Sequence, residues 1–152
     1  MGTRLTHDAK KFVIEHEVAV LSTLSHDRKV HGATVYYRYM DGDFYIITKS
    51  GSNKAHNMLA HHQVALTIFD SDEIKTIQLQ GKAHIESDMK TKRLIFEEIV
   101  HPRPYKGEHL MPPVSQLSAG GFITFRITPT NIFYMDYKDE SKIIRSHTSH
   151  FH

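Results

Sequence analysis

Residues 46–59 read Ile46-Ile47-Thr48-Lys49-Ser50-Gly51-Ser52-Asn53-Lys54-Ala55-His56-Asn57-Met58-Leu59. An apolar strand end runs into a short Ser/Gly/Asn turn, and the turn opens a helix with a lysine in its first turn. That order makes an anion site. The first N–H groups of a helix lack intrahelical partners, and the helix dipole adds partial positive charge there. Thr48, Ser50 and Ser52 offer hydroxyls and Lys54 a full charge, a set that suits a phosphate monoester. The plainer alternative is an ordinary strand–turn–helix with Ser52 as its N-cap. The G-x-x-x-x-G-K-[ST] spacing of a Walker loop is absent.

Outward from this stretch, the pattern predicts strands and hairpins. Upstream, residues 6–16 form a helix capped by Thr6, with Asp8 in its first turn and Phe12, Val13 and Ile14 on its apolar side. Val18–Ser25 is rich in β-branched residues and reads as a strand. A polar turn, His26-Asp27-Arg28-Lys29, leads to a second strand over Val30–Met40. Asp41-Gly42-Asp43 is a hairpin signal, and Phe44–Thr48 is the third strand. Downstream, a short helix covers Asn53–His61 and a strand Gln63–Asp70. A long strand covers Ile74–Ser87, with Gly81 marking a bulge or sharp bend.

Asp88 caps a helix over Met89–Val100 whose apolar face carries Leu94, Ile95 and Ile99. His101–Ser118 holds four of the five prolines and is too long for a plain connector. Gly121–Thr128 and Asn131–Tyr137 are the last two strands, with Pro129 at the corner between them. Residues 138–152 form a polar, frayed tail. Hairpins and meanders dominate, so the sheet is mainly antiparallel, and closure into a barrel is the natural way to remove its edges.

Composition sets limits. At 152 residues the chain suits one domain, residues 1–137 before the tail, with 39% hydrophobic residues to build its core. A net charge of +2 argues against a nucleic-acid partner. The absence of cysteine removes disulfides, thiolate nucleophiles and Cys-based metal sites. No apolar run approaches the roughly 20 residues of a membrane span, and no signal region opens the chain. A cytoplasmic protein without a membrane partner is the expectation. Thirteen histidines are present, with His61-His62 adjacent and His147, His150 and His152 in the tail. They show no H-E-x-x-H spacing and read as scattered surface residues, so no metal site is expected.

Three segments together resemble the pyridoxamine 5′-phosphate oxidase-like family of FMN-binding split barrels. They are Gly32-Ala33-Thr34-Val35-Tyr36-Tyr37, then Phe44-Tyr45-Ile46-Ile47-Thr48 through Ser52-Asn53-Lys54, and Lys75-Thr76-Ile77-Gln78-Leu79-Gln80-Gly81-Lys82-Ala83. Their order and spacing match across roughly residues 8–137, and the chain looks closest to the small general-stress-protein branch. The resemblance implies a mainly β (α+β) fold, a six- to seven-stranded antiparallel split β-barrel with flanking helices. It implies a homodimer with FMN at the interface. The phosphate would sit on Ser52, Asn53 and Lys54, with Thr48 and Lys49 nearby. The isoalloxazine would lie along Ala33, Thr34, Val35 and Tyr36, where backbone groups reach its polar edge. Thr76 and Gln78 would contribute from the long strand. Ordinary sheet packing is the alternative role for the strand residues, since tyrosine suits strands without any function.

The chain also departs from the oxidase of pyridoxine phosphate. It has no tryptophan, it lacks the C-terminal extension that holds flavin and substrate there, and it has Asn53-Lys54 where the oxidase has an arginine–lysine pair. Pyridoxal phosphate synthesis is therefore not expected. The expected activity is an FMN-dependent oxidoreductase acting on an unknown small substrate. The alternatives are a non-catalytic flavin-binding stress protein, a haem- or deazaflavin-binding split barrel, and an empty scaffold. No residue stands out as catalytic. His31 and His56 are the nearest titratable candidates, and Tyr105, Lys106 and His109 in the proline-rich loop are chemically capable.

Overall fold

Val30–Met40 is one continuous run in sequence, yet it supplies both ends of the sheet. In the computed structural model, which describes residues 5–100, 121–139 and 143–147, this run breaks into β2 (Val30–Tyr36) and β3 (Arg38–Met40). The remaining elements are α1 (His7–Glu15), β1 (Val18–Leu24), β4 (Asp43–Lys49), α2 (Asn53–Ala60), β5 (Gln63–Asp70), β6 (Lys75–Ile85), α3 (Met89–Val100), β7 (Phe122–Asp136) and β8 (Ile144–His147). The hydrogen-bonded order is β2-β1-β5-β6-β7-β4-β3, with β8 added against β7. Every pairing is antiparallel. The two ends of that path, β2 and β3, are separated in the chain by Tyr37 alone. The ribbon therefore curls until its ends meet, and the fold is a mainly β split barrel.

Tyr37 makes the crossing. Its side chain is fully buried, its hydroxyl donates to the Val13 carbonyl at 2.7 Å, and its N–H donates to the Glu17 carbonyl at 2.9 Å. The barrel interior takes alternate residues of each strand, as period-2 geometry requires. Leu21, Phe44, Ile46, Leu66, Ile77, Leu79, Phe125, Ile127 and Tyr134 meet there. α1 adds Ala9, Phe12 and Val13 to this core, and α2 adds Ala55 and Met58. Each leucine, isoleucine, valine, phenylalanine or methionine among them contributes about 1.5–3 kcal/mol of burial free energy.

β4 is buried on both faces. Tyr45 and Ile47 point away from the barrel into a second cluster with Ile95 and Ile99 of α3. Asp88 caps α3 by accepting from the Thr91 N–H at 2.9 Å and its hydroxyl at 2.7 Å, and these bonds hold its carboxyl below the ordinary range. Arg38 ties the last turn of α3 to the barrel. It donates to the Glu98 carbonyl at 2.7 Å and to the Glu98 carboxylate at 3.2 Å, which suits a cation at a helix C-terminus.

Four local expectations are corrected. The single strand over Val30–Met40 is two strands, because the chain changes sheet edges at Tyr37. The two strands expected around Pro129 are one, β7. Pro129 pairs with Gly81 and Asn131 with Gln80, so Thr130 is the extra residue of a bulge. A proline without an N–H is accommodated there without a corner. Ile14 (44% exposed) and Leu94 (45% exposed) lie off the buried faces of their helices. Within the tail, Ile144–His147 is not frayed: β8 pairs with β7, and the Arg145 guanidinium lies 5.3 Å from the Phe133 ring centre. The proline-rich stretch 101–118, with Tyr105, Lys106 and His109, lies outside the described residues. The Gly81 bulge and the Asp41–Gly42 hairpin stand as expected, the latter with positive φ at both turn residues.

Candidate functional site at the barrel split

The turn after β4 is a built structure. Ser52 is the N-cap of α2, accepting from the Ala55 N–H at 3.2 Å. Thr48 is buried, and its hydroxyl lies 2.8 Å from that of Ser52. The Ser52 N–H closes back on the Lys49 carbonyl at 3.1 Å. Two residues that the sequence did not single out hold the turn from outside. The Ser50 N–H donates to the Gly121 carbonyl at 2.7 Å, and Gly121 sits at φ +82 with room for no Cβ beyond 3.0 Å from Ser50 Oγ. Asn57 donates to the buried Thr23 hydroxyl at 3.0 Å, fastening α2 to β1. A glycine just ahead of a strand and an asparagine inside a short helix carry no distinctive sequence signal.

The charge at this turn is one-sided. The chain contains no Asp or Glu between Asp43 and Asp70. Lys49 and Lys54 make no ion pair among the described residues. The N–H groups of Asn53 and Lys54, at the first positions of α2, have no intrahelical acceptor. Positive charge, free donors and a positive dipole end therefore coincide.

β2 provides the other wall. The Tyr37 N–H bonds to Glu17 and the Ser25 N–H to Lys29, each at 2.9 Å. Bonded and non-bonded positions alternate along an antiparallel pair. Gly32, Thr34 and Tyr36 therefore turn their backbone N–H and C=O groups away from β1. β2 ends the hydrogen-bonded path, so among the described residues no strand covers that edge. Continued past Tyr37, the β3–β4 register would set Thr34 beside Lys49. Instead the strands part and α2 packs beside the opening. The free edge of β2 and the turn at Thr48–Lys54 thus border the same split.

Of the residues singled out in the sequence, Thr48, Lys49, Ser52, Asn53 and Lys54 lie together at this turn, and Ala33, Thr34 and Tyr36 lie on the facing strand. The Val35 side chain belongs to the barrel core, 6% exposed, and its backbone N–H and C=O face β1 opposite Ala19, so it brings no polar group to the split. Thr76 and Gln78 lie three strands away on β6. Thr76 is buried with its hydroxyl donating to the Ile68 carbonyl at 3.1 Å, and Gln78 is exposed on the outer sheet face. The single chain does not bring them to the split. His31 and His56 are both exposed. A separate concavity of about 310 Å³ opens elsewhere on the outer face, and none of the site residues expected from the sequence lines it. No group of three His, Cys, Asp or Glu among the described residues is placed to hold a metal ion, and none of the described helices is long and apolar enough to cross a membrane.

The free backbone edge and the cationic turn together fit a phosphorylated ligand with a hydrogen-bonding ring. Residues 5–136 match the pyridoxamine 5′-phosphate oxidase family, and the chain belongs to it. No curated protein matches. Among solved structures, general stress protein 26 from Bacillus anthracis is similar at 24% identity, with a TM-score of 0.63, covering 83% of this chain and 90% of that one. A haem-binding protein from Mycobacterium smegmatis shares 11% identity at a TM-score of 0.70, covering 95% of this chain and 59% of that one. An FMN-binding protein related to pyridoxamine 5′-phosphate oxidase, from Nostoc punctiforme, shares 15% identity at a TM-score of 0.59, covering 89% and 82%. At these identities the likeness is one of fold.

Proposed function

We propose that this chain is an FMN-binding flavoprotein and works as an oxidoreductase on a small substrate. The observation that carries the reading is the pairing of the free β2 edge with the cationic turn across the split. Ser52, Asn53 and Lys54 would hold the phosphate through backbone N–H groups, hydroxyl and ammonium, with Thr48 and Lys49 beside them. The backbone of Thr34 and Tyr36 would hydrogen-bond the polar edge of the ring. Bound flavin would supply the electron- or hydride-transfer chemistry. The chain's own part is to bind, orient and shield. The FMN-binding relative in Nostoc punctiforme supports the choice of cofactor.

The active unit on this reading is a homodimer. Thr76 and Gln78 stand on an outer face that also exposes Val18, Val20 and Phe69 at 43%, 45% and 54%. That face on a second copy would bring those residues to the split and cover the apolar side chains. The visible absorption spectrum of the purified protein, with mass analysis of any cofactor released on denaturation, tests the reading. A flavin spectrum with released FMN supports it, and bleaching by a reduced nicotinamide with turnover separates an oxidoreductase from a protein that only holds flavin. A colourless protein that also fails to take up added FMN overturns it.

A further inference from the structure

Lys49 and Thr48 are neighbours in sequence, yet they face opposite ways. Side chains alternate along a strand, and β4 keeps that alternation to its end. Phe44 and Ile46 point into the barrel, and Thr48, on the same side, meets the Ser52 hydroxyl at 2.8 Å. Tyr45 and Ile47 point outward against α3. Lys49 continues the outward row and is exposed. Its ammonium therefore leaves the strand on the side away from the Thr48–Ser52 contact that fixes the start of α2.

Strand register places Lys49 at the other end of the split. The β3–β4 pairing, continued past Tyr37, sets Lys49 across from Thr34. Where the strands part, Lys49 borders the gap opposite the free backbone edge of β2. Tyr36, the next free position on that edge, packs its side chain on the same outer cluster as Ile47.

The charge is neither neutralised nor fully in open water. Lys49 makes no ion pair among the described residues. Its cross-strand partner is Phe122, whose ring stacks on Phe96 of α3 with centroids 5.5 Å apart and planes 9° from parallel. A cation beside an aromatic wall acts through a lower effective dielectric than one in bulk water.

We propose that Lys49 serves the flavin ring, not the phosphate, and raises the reduction potential of bound FMN. The inference rests on the flavin reading. Reduction by two electrons with uptake of one proton adds one negative charge to the ring and leaves the phosphate charge as it was. A cation at the ring edge therefore favours the reduced form selectively. A cation at the phosphate, as Lys54 is placed, favours both forms alike.

The test is the midpoint potential of FMN bound to the full chain, read by reductive titration with dithionite against a reference dye at fixed pH. It is run on wild type, Lys49→Met, Lys49→Arg and Lys54→Met. Lys49→Met keeps the affinity for oxidised FMN and weakens reduced FMN about ten-fold, which for a two-electron couple is a fall of about 30 mV. Lys49→Arg restores the wild-type midpoint, and Lys54→Met loses affinity for both redox states with the midpoint in place. An unmoved midpoint in Lys49→Met overturns the proposal, as does an equal fall in Lys54→Met. So does a loss of oxidised-FMN affinity in Lys49→Met, which would assign the lysine to the phosphate. A wild-type chain that takes up no FMN overturns the flavin reading and this inference together, whereas bound FMN with an unmoved midpoint overturns this inference alone.

Discussion

The Tyr37 hydroxyl donates to the Val13 carbonyl at 2.7 Å, so the residue at which the chain changes sheet edges is tied to the helix that plugs the barrel. The carbonyl is one that α1 cannot satisfy internally near its C-terminus. Burial pushes the phenol pKa far above its ordinary value, which keeps the donor protonated. Tyr37→Phe keeps the ring and leaves the Val13 carbonyl without this donor. It should cost about 1–3 kcal/mol, seen as a lower urea midpoint with an unchanged slope. A midpoint equal to wild type would show that the tie contributes nothing.

Gly81 sits at the bulge between β6 and β7. A Cβ there would lie 2.7 Å from the Thr128 carbonyl oxygen and 3.0 Å from the Ile127 side chain. Backbone cannot yield as a flexible side chain can, so Gly81→Ala should destabilise by about 1–3 kcal/mol. At Gly51 a Cβ meets nothing within 4 Å, and Gly51→Ala should stay within about 0.5 kcal/mol. Comparable losses at the two positions would contradict the bulge geometry.

Asp43 carries a pH signature. Burial raises its pKa, Glu86 and Asp41 add to the rise, and Thr128 and Arg126 oppose it. Its folded value therefore lies above the unfolded one of about 3.9. Between those two values the unfolded chain releases its proton first, so stability falls as pH rises through that window and stays lower above it. Asp43→Asn keeps an oxygen for Thr128 and removes the charge. It should be more stable than wild type at neutral pH and no different below the window. Thermal melts at pH 3 and pH 7 check this, and a neutral-pH loss would reverse the assignment.

Ser52 and Lys54 should separate structure from binding. Ser52→Ala removes the N-cap bond to Ala55 and should cost about 1 kcal/mol of stability as well as FMN affinity. Lys54→Met keeps the aliphatic stem and removes the charge. It should leave the melting temperature in place while weakening FMN about ten-fold. Calorimetry of both variants reads the two effects independently. A Lys54→Met protein with wild-type FMN affinity would remove the lysine from the site.

Legibility followed the range of the interactions. Thr6, Ser52 and Asp88 were readable as caps because a cap is a local bond, and the Asp41–Gly42 hairpin because positive φ demands those residues. The seven expected strands came out as seven in the hydrogen-bonded path, with one expected strand split and two fused. Both changes arise from pairing between distant segments. Tyr37 looks like any strand tyrosine until β1 and β4 are in place, and Pro129 looks like a corner until Gly81 is seen opposite it. β8 was missed because its pairing lies with β7, not within the tail. The cationic turn was legible for the same local reason as the caps. Its facing wall, Ala33 to Tyr36, came only through the family resemblance, since a free strand edge is a property of the whole sheet, and the Gly121 and Asn57 tethers needed partners far away in sequence.

The central claim is that the turn at Ser52–Lys54 holds a phosphate whose ring lies along β2. Titration of the cofactor-free protein with FMN and, separately, with riboflavin tests it most directly, because the two ligands differ only in the phosphate. The account predicts saturable FMN binding with quenched flavin fluorescence, and riboflavin binding weaker by about two orders of magnitude, the worth of two charge-assisted hydrogen bonds. Equal affinity for the two, or binding of neither, would contradict it.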